Sequence, residues 1–318
     1  MNGPFEEADL SRIKPISIAE RRSKISVDDV VDPAGVFAGK KAITAGDLRA
    51  ALPDLLAADS LKRVVDALHT AREKRREIVW MVGAHTIKCG LSLYLIRLME
   101  AGYVTTLATT GSSAVHDLEL AFFGKTSEHV EVELPEGRFG MSAETAGHYN
   151  AACAHAAKVG LGLGSGMGDY IEARGAPNRG ISVFRGGRVF NIPTTVHVSF
   201  GTDVTHQHPG FPAALVGELT MKDFRILTHR VGRMFDGGVV VVFGSAVVLP
   251  EVFLKAVSIN YNLGRKASAV TAASFDMIPQ YRVRENVLGR PFPETGRSYA
   301  ITGHHEILLP LMYFLLPR

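Results

Sequence analysis

From Thr44 onward the apolar positions recur with a helical period. Leu48, Leu52, Leu55 and Leu56, then Leu61, Val64, Val65 and Leu68, fall three and four residues apart, the spacing of helices with one buried stripe. At Glu77 the pattern changes. The short apolar run Ile78–Val82 ends in Gly-Ala-His-Thr-Ile-Lys-Cys-Gly and leads into a helical stretch over 91–101, stopped by Gly102. The unit repeats at once, with a strand predicted over 104–108, a loop of small residues over 109–113 and a helix over 115–123 closed by Gly124. A third copy begins with Val239–Phe243, an uninterrupted β-branched run expected of a strand buried on both faces. It continues through Gly244, Ser245 and Ala246 into a helix over 251–260. Between these copies the spacing predicts a helix over 143–159, a flexible turn or loop over 160–168, a strand over 192–200 and a helix over 221–235. Strands over 269–273 and 299–302 and a helix from Glu306 complete the set. Strand, loop and helix in tandem require crossover connections. The expected fold is therefore α/β, with one parallel sheet in a domain over 76–318, preceded by an N-terminal arm and helical extension over 1–75. The first 45 or so residues, polar and Pro-containing, read as an irregular arm.

At 318 residues, 46% hydrophobic and 21% charged, the chain can bury a core without disulfides or a structural metal. A net charge of +3, with Lys and Arg interspersed among acids, argues against nucleic acid as a partner. The densest basic cluster, Arg72, Lys74, Arg75 and Arg76, has no interleaved aromatics and reads as the solvated end of a helix. Cys89 and Cys153 are the only cysteines and form no CxxC motif, so a reducing, cytoplasmic setting is expected. The apolar stretches are broken well before ~18 residues and the N-terminus has no basic-then-apolar signal pattern, which implies no membrane partner.

Chemistry is expected where loops leave the carboxyl ends of parallel strands, because these share one edge and face helix N-termini. Gly83, Ala84, Thr109, Thr110, Gly111, Ser112, Ser113, Gly244, Ser245 and Ala246 occupy such loops, and their small side chains and hydroxyls suit a nucleotide. Tight turns also use Gly for steric reasons alone. No GxGxxG stands at the first turn, and Gly160, Gly162, Gly164 and Gly166 follow a helix rather than a strand. Histidines form the second signal. His85, His116 beside Asp117, His206 and His208 after Asp203, and His304 and His305 before Glu306 all fall in or beside loops. With a carboxylate they suit zinc, or one imidazole suits general-base work with Asp203 or Asp117 orienting it; as loop residues they suit helix capping. The pair His304-His305 is the one for which chemistry is favoured, since two imidazoles are an uneconomical turn. Arg282, Arg284 and Arg290, around Glu285 and Asn286, suit either an anionic substrate or a solvated loop.

In this order the motifs resemble the deoxyhypusine synthase family over residues 78–310. The segment with Thr109-Thr110-Gly111 is similar to the family's Thr-Thr-Ala-Gly-Gly turn, and 192–208 with Asp203 to its strand ending in Thr-Asp-Gly. Gly244-Ser245-Ala246-Val247-Val248 is similar to its Gly-Gly-Gly-Val-Val turn, and 299–310 to its final strand and helix. The resemblance implies a Rossmann-like NAD-binding fold, a homotetramer with the dinucleotide site shared between subunits, and amine chemistry on spermidine. By it, Thr109, Thr110, Gly111, Ser112, Gly244, Ser245 and Ala246 are the NAD-binding candidates, with Asp203 beside them. The family's nucleophilic lysine in Trp-Gly-Lys has no counterpart: no Lys follows Lys266 and the only Trp is Trp80. The family's Lys-His-His is replaced by Leu249-Pro250-Glu251, and its Asp-Ala-Ser by His304-His305-Glu306. Deoxyhypusine formation is therefore not expected. The expected enzyme binds NAD and a small polar or amine substrate, with His304, His305, Glu306 and Asp203 as acid/base or orienting groups. His85, His206, His208 and Glu251 are the substrate-binding candidates, and no resident metal is assigned. A polyamine transferase such as a homospermidine synthase falls in this class, with the missing lysine against it. Two alternatives stand: a metal-dependent hydrolase or lyase using His85, His206, His208, His304 and His305 with a divalent metal, and a non-catalytic homologue that keeps the fold and the tetramer.

Overall fold

The computed structural model of the protein describes residue 8 and residues 10–20, 30–294 and 296–317. The expected irregular arm lies outside the described residues at 1–7, 9 and 21–29. Among the described residues three α-helices precede the sheet: α1 (Pro33–Phe37), α2 (Ala45–Ala51) and α3 (Leu56–Glu73). Thr44 starts α2 with a capping box, its hydroxyl accepting from the Asp47 N–H while the Asp47 carboxylate accepts from the Thr44 N–H. The apolar stripe of α3, Leu61, Val64, Val65, Leu68 and Ala71, is buried in the main core.

Among the described residues six strands form one sheet: β1 (Ile78–Val82), β2 (Thr106–Thr110), β3 (Thr194–His197), β4 (Val239–Phe243), β5 (Thr271–Asp276) and β6 (Arg297–Thr302). Their order is β3-β2-β1-β4-β5-β6 and every pairing is parallel. The fold class expected from the sequence, a parallel-sheet, Rossmann-like α/β fold, is the one observed. After β1 come α4 (Ala84–Lys88) and α5 (Ser92–Glu100). After β2 come α6 (Gly111–Phe123), α7 (Val130–Glu133), α8 (Ala143–Lys158), α9 (Leu163–Ala173) and α10 (Val183–Val189). The long α11 (Ala213–Met234) joins β3 to β4, α12 (Val248–Asn262) joins β4 to β5, the short α13 (Tyr281–Val283) precedes β6, and α14 (His305–Leu315) closes the chain.

Strand side chains alternate between two cores. Ile78, Trp80, Val82, Val241 and Phe243 pack with α3, α5, α6 and α14, while Val79, Met81, Val240 and Val242 pack with α11 and α12. The all-apolar runs of β1 and β4 follow from this, since both faces of each strand are covered by helices. No helix among the described residues is long and apolar enough to cross a membrane.

Two expectations are corrected. The small-residue loop over 109–113 does not exist, because Thr109 and Thr110 end β2 and Gly111 opens α6 directly. The glycine-rich stretch over 160–168 is largely helical, its later part being the start of α9. Its glycines serve packing rather than flexibility: a Cβ on Gly168 would overlap the Phe184 carbonyl, and one on Gly166 the Ala156 side chain. Gly168→Ala is therefore expected to cost about 1–3 kcal/mol in a urea titration, because α10 must move to admit the methyl group. Gly147→Ala, at a helical position in α8 with nothing within 4 Å of the new methyl, is expected to gain about 0.5–1 kcal/mol in the same titration.

Candidate active site at the carboxyl edge of the sheet

Register fixes the edge. Val82 stands opposite both Thr109 and Phe243, Phe243 opposite Phe275, and Asp276 opposite Thr302, so the strand ends form one rim. The chain moves outward from β1 through β2 to β3, then returns to place β4 on the other side of β1. The helices that follow β1 and β4 lie on opposite faces of the sheet: Leu95 of α5 is in one core and Leu249 of α12 in the other. In open parallel sheets ligands bind where such an order reverses, which here is between the turns after β1 and β4.

The two turns touch through backbone. Gly83 donates its N–H to the Phe243 carbonyl at 2.9 Å, and a Cβ on Gly83 would overlap the Gly244 carbonyl oxygen. Gly244 has φ +62°, and the His305 ring sits where its Cβ would point. Beyond Gly244-Ser245-Ala246, Val247 stands at the N-cap of α12 and gives the helix no side-chain cap. The contrast with α6 is direct. There Thr110 and Ser113 form a capping box, and Asp203 Oδ1 accepts from Ser112 Oγ at 2.6 Å. The hydroxyls at the junction of β2 and α6 are thus used internally, and the Thr109 hydroxyl is spent on the Thr195 carbonyl at 2.9 Å. In the first turn of α12 Pro250 has no N–H, so Val248 and Leu249 carry the N–H groups that no side chain caps.

Two clusters of polar side chains bracket the turn after β1. The first holds His85, Cys89 and His305. His305 is buried, and its Nε2 donates to the Phe275 carbonyl at 3.2 Å, which leaves Nδ1 without a partner. Burial lowers its pKa, which favours the neutral ring. His85 meets His305 edge-on at 5.6 Å between ring centres, and His85 Nε2 lies 3.2 Å from Cys89 Sγ. Burial, with the nearby Glu306 carboxylate, raises the Cys89 pKa and keeps it a thiol. His304 turns the other way, into solvent beside Glu306 at 3.7 Å.

The second cluster is built on Asp203, whose pKa burial also raises. His206 Nδ1 accepts from the Gly201 and Asp203 N–H groups, and His206 Nε2 stands 3.7 Å from Asp203 Oδ2, both atoms lacking a hydrogen-bond partner. His208 ties the loop down through the Gly140 carbonyl at 2.9 Å. Asp203 leans over the end of β2 and His305 over the end of β4, two strand spacings or about 10 Å apart. The structure thus separates Asp203 from His304, His305 and Glu306 instead of gathering them into one set.

Other expected residues have other work. Asp117 does not orient His116: its carboxylate accepts from Ser182 Oγ at 2.5 Å and from the Val183 N–H at 2.8 Å, where burial pushes its pKa up to about 7. The anion-holding reading of Arg282, Arg284 and Arg290 is corrected, because they pair with Glu251 and Glu285. Glu251 is occupied by Lys255, Arg282 and Asn286. Among the described residues no group of three or more His, Cys, Asp or Glu is disposed to hold a metal ion.

Sequence reasoning did not single out Lys88, Glu119 or Thr126, which line cavities beside the second cluster. Lys88, just past β1, lines a cavity of about 220 Å³ with Ser112, His116 and Asp203. Glu119, Ser127 and Glu128 are shared between it and a larger cavity of about 580 Å³. The signal available was the spacing of His116 and Glu119, three apart on one helix face.

A family profile described as arginine dihydrolase ArgZ-like, C-terminal, Rossmann fold matches residues 62–148. No curated protein matches the chain. Among solved structures, the ternary complex of AgrE with ornithine and NAD+ superposes with a TM-score of 0.52 at 16% identity, over 80% of this chain and 32% of that one. A conserved putative LOR/SDH protein from Methanococcus maripaludis S2 gives 0.50 at 15% identity, over 82% and 70%. A putative deoxyhypusine synthase from Entamoeba histolytica gives 0.50 at 13% identity, over 87% and 94%. The chain has the Rossmann-type fold that these proteins share. It spans about a third of the length of AgrE, and at these identities the likeness carries the fold and not the reaction.

Proposed function

We propose that the protein is an NAD-dependent enzyme acting on a small polar substrate that bears an amine. The observation that carries the reading is the strand order with its reversal between β1 and β4, at which an uncapped α12 follows Gly244-Ser245-Ala246. A pyrophosphate there would accept from the Val248 and Leu249 N–H groups at the start of α12, beside the turn that holds Gly244. NAD would supply a hydride acceptor or donor. The protein's own residues hold the geometry: His305, fixed by the Phe275 carbonyl, shapes the β4 side of the crevice, and Asp203 shapes the β2 side.

AgrE, a third of which this chain matches, was solved with ornithine and NAD+, and that pairing of dinucleotide and amine in a protein with this fold supports the reading. Deoxyhypusine formation is not part of the proposal, because no lysine follows Lys266 to carry the transferred group. By the family it resembles, the protein is proposed to work as a homotetramer.

A thermal-shift screen with NAD, other nucleotides, polyamines, basic amino acids and divalent metals tests the reading. NAD at a hundred times its Kd adds about 2.7 kcal/mol to the native state and raises the midpoint. A midpoint unmoved by millimolar NAD contradicts the proposal, and one raised by a divalent metal alone favours the metal-dependent alternative.

A further inference from the structure

At the opposite edge of the sheet, where the strands begin, lies a cavity of about 470 Å³. Its floor is the first residue of three neighbouring strands, for Val239, Thr271 and Arg297 stand opposite one another in β4, β5 and β6. Alternation puts all three on the face that α3 covers, since Val241, Ala273 and Ile301 belong to the core into which α3 packs. The facing wall is a second stripe of α3, carrying Arg63, Asp66, Thr70 and Lys74 at three- and four-residue spacing beside the buried stripe of Leu61, Val64 and Leu68. The cavity is therefore held between a helix and the strand starts, with polar groups on both sides.

The basic run at the end of α3, expected to be a solvated helix end, is divided by the fold. Arg75 takes a left-handed backbone, φ +52°, and the Arg76 N–H bonds back to the Ala71 carbonyl at 2.8 Å, so the chain reverses after Lys74. Arg72 is committed elsewhere, its Nε donating to the Ala101 carbonyl at 2.7 Å, whereas Lys74 and Arg76 line the cavity. The charges of the lining do not cancel. Arg76 pairs with Asp236, and Arg63 and Asp66 are paired outside the cavity, with Asp59 at 2.7 Å and Arg49 at 2.8 Å. Lys74 and Arg297 are left with no acidic partner among the described residues. The hydroxyls of Thr70, Thr271 and Tyr299 also line the cavity and make no side-chain hydrogen bond to a described residue. Cations near a helix C-terminus offset the helix dipole, which accounts for Lys74 and Arg76. It does not account for Arg297, which is carried by a strand and meets the helix from the other side.

We infer that this cavity is a second ligand site, which takes the phosphate group of a phosphorylated small molecule. Lys74 from the helix wall and Arg297 from the floor offer an ammonium and a guanidinium to phosphate oxygens from two sides, and the three hydroxyls add donors. The volume is that of a small-molecule site, and Ala67, Val239 and Ala269 give the rest of the ligand apolar contact. Strands of five or six residues separate the cavity from the carboxyl rim, roughly 17–20 Å. A ligand here touches none of the rim residues and binds whether or not NAD occupies the crevice.

Isothermal titration of the full chain at low salt with inorganic pyrophosphate, and with ADP as its nucleotide counterpart, reads the site. The expected result is saturable binding that weakens as salt rises. Arg297→Gln is expected to weaken it about tenfold and Lys74→Gln about threefold; both side chains are exposed and carry no ion pair, so folding is kept. Lys158→Gln removes the same charge at an exposed position of α8 and is expected to change the affinity by less than about twofold. ADP bound more tightly than pyrophosphate would make the ligand a nucleotide, and ADP bound no more tightly would make the phosphates the recognised part. Binding of neither probe, affinities unchanged in both Arg297→Gln and Lys74→Gln, or an equal loss in Lys158→Gln overturns the inference. The thermal shift produced by NAD is expected to be the same in Arg297→Gln as in the native protein. A shift lost in that variant would seat the dinucleotide in this cavity, upholding the site and removing the reading of the crevice.

Discussion

Gly83→Ala is expected to destabilise the protein by about 3 kcal/mol or more, measured as a lowered urea midpoint, and to abolish dinucleotide binding in whatever fraction stays folded. The obstacle to the new methyl group is the Gly244 carbonyl, not the end of a flexible side chain, so relief requires the β1 and β4 turns to separate. Those strands are hydrogen-bonded neighbours along their full length, from Ile78 opposite Val239 to Val82 opposite Phe243. Separation would therefore strain the centre of the sheet and the rim together. Gly147→Ala gives the contrast, since it adds the same atom where nothing stands near. Equal midpoints for Gly83→Ala and the native protein would show that the turns do not press together as described.

The second large effect is a pH dependence seated at Asp223. Its carboxylate is buried in α11, where Oδ2 accepts from the Gly164 N–H at 2.9 Å and the Val196 N–H at 2.8 Å, tying α11 to the start of α9 and to β3. Burial outweighs those bonds and raises its pKa to about 7, against 3.8 ordinarily. Between these values the folded protein holds a proton that the unfolded chain has released. Stability contributed by this group is thus full below about pH 4, falls as pH rises, and levels off above about 7. Asp117, raised for the same reason, acts in the same direction, and a comparison of variants isolates Asp223. Asp223→Asn cannot titrate, so its stability relative to the native protein is expected to improve by about 2–3 kcal/mol between pH 5 and pH 8. A difference that stays constant over that interval would place the carboxyl's folded pKa near its ordinary value. Asp223→Ala leaves two buried N–H groups unpaired and is expected to cost about 2–4 kcal/mol below pH 5, where the native carboxyl is protonated.

The layered α/β fold was legible because its signals are local. Val239–Phe243 is apolar throughout since both of its faces are covered, and the helical stripe of α3 recurs at three and four residues because one side meets the core. The strand order was not legible, because nothing in the spacing of β4 says on which side of β1 it inserts. That choice decides which turns meet, and so the pairing of Gly83 with Gly244 emerged only from the fold. The stretch over 160–168 misled because glycine signals both flexibility and close contact, and the partner backbone of Gly168 at Phe184 is distant from it in sequence. His304 and His305 read as a pair in the sequence, yet their position at the start of α14 sends one ring inward and the other to solvent. Lys88 and Glu119 escaped notice since their cavity is closed by the segment 125–145, which folds back over α6 through Thr126 and Thr145.

The central claim, that NAD lies across the turns after β1 and β4, is tested most directly by a crystal structure of the protein grown with NAD. The account predicts the pyrophosphate against the backbone N–H groups at the start of α12, with the rest of the molecule crossing Gly83 toward Lys88. Dinucleotide seated at another edge of the sheet, or a crevice left empty by saturating NAD, would contradict it.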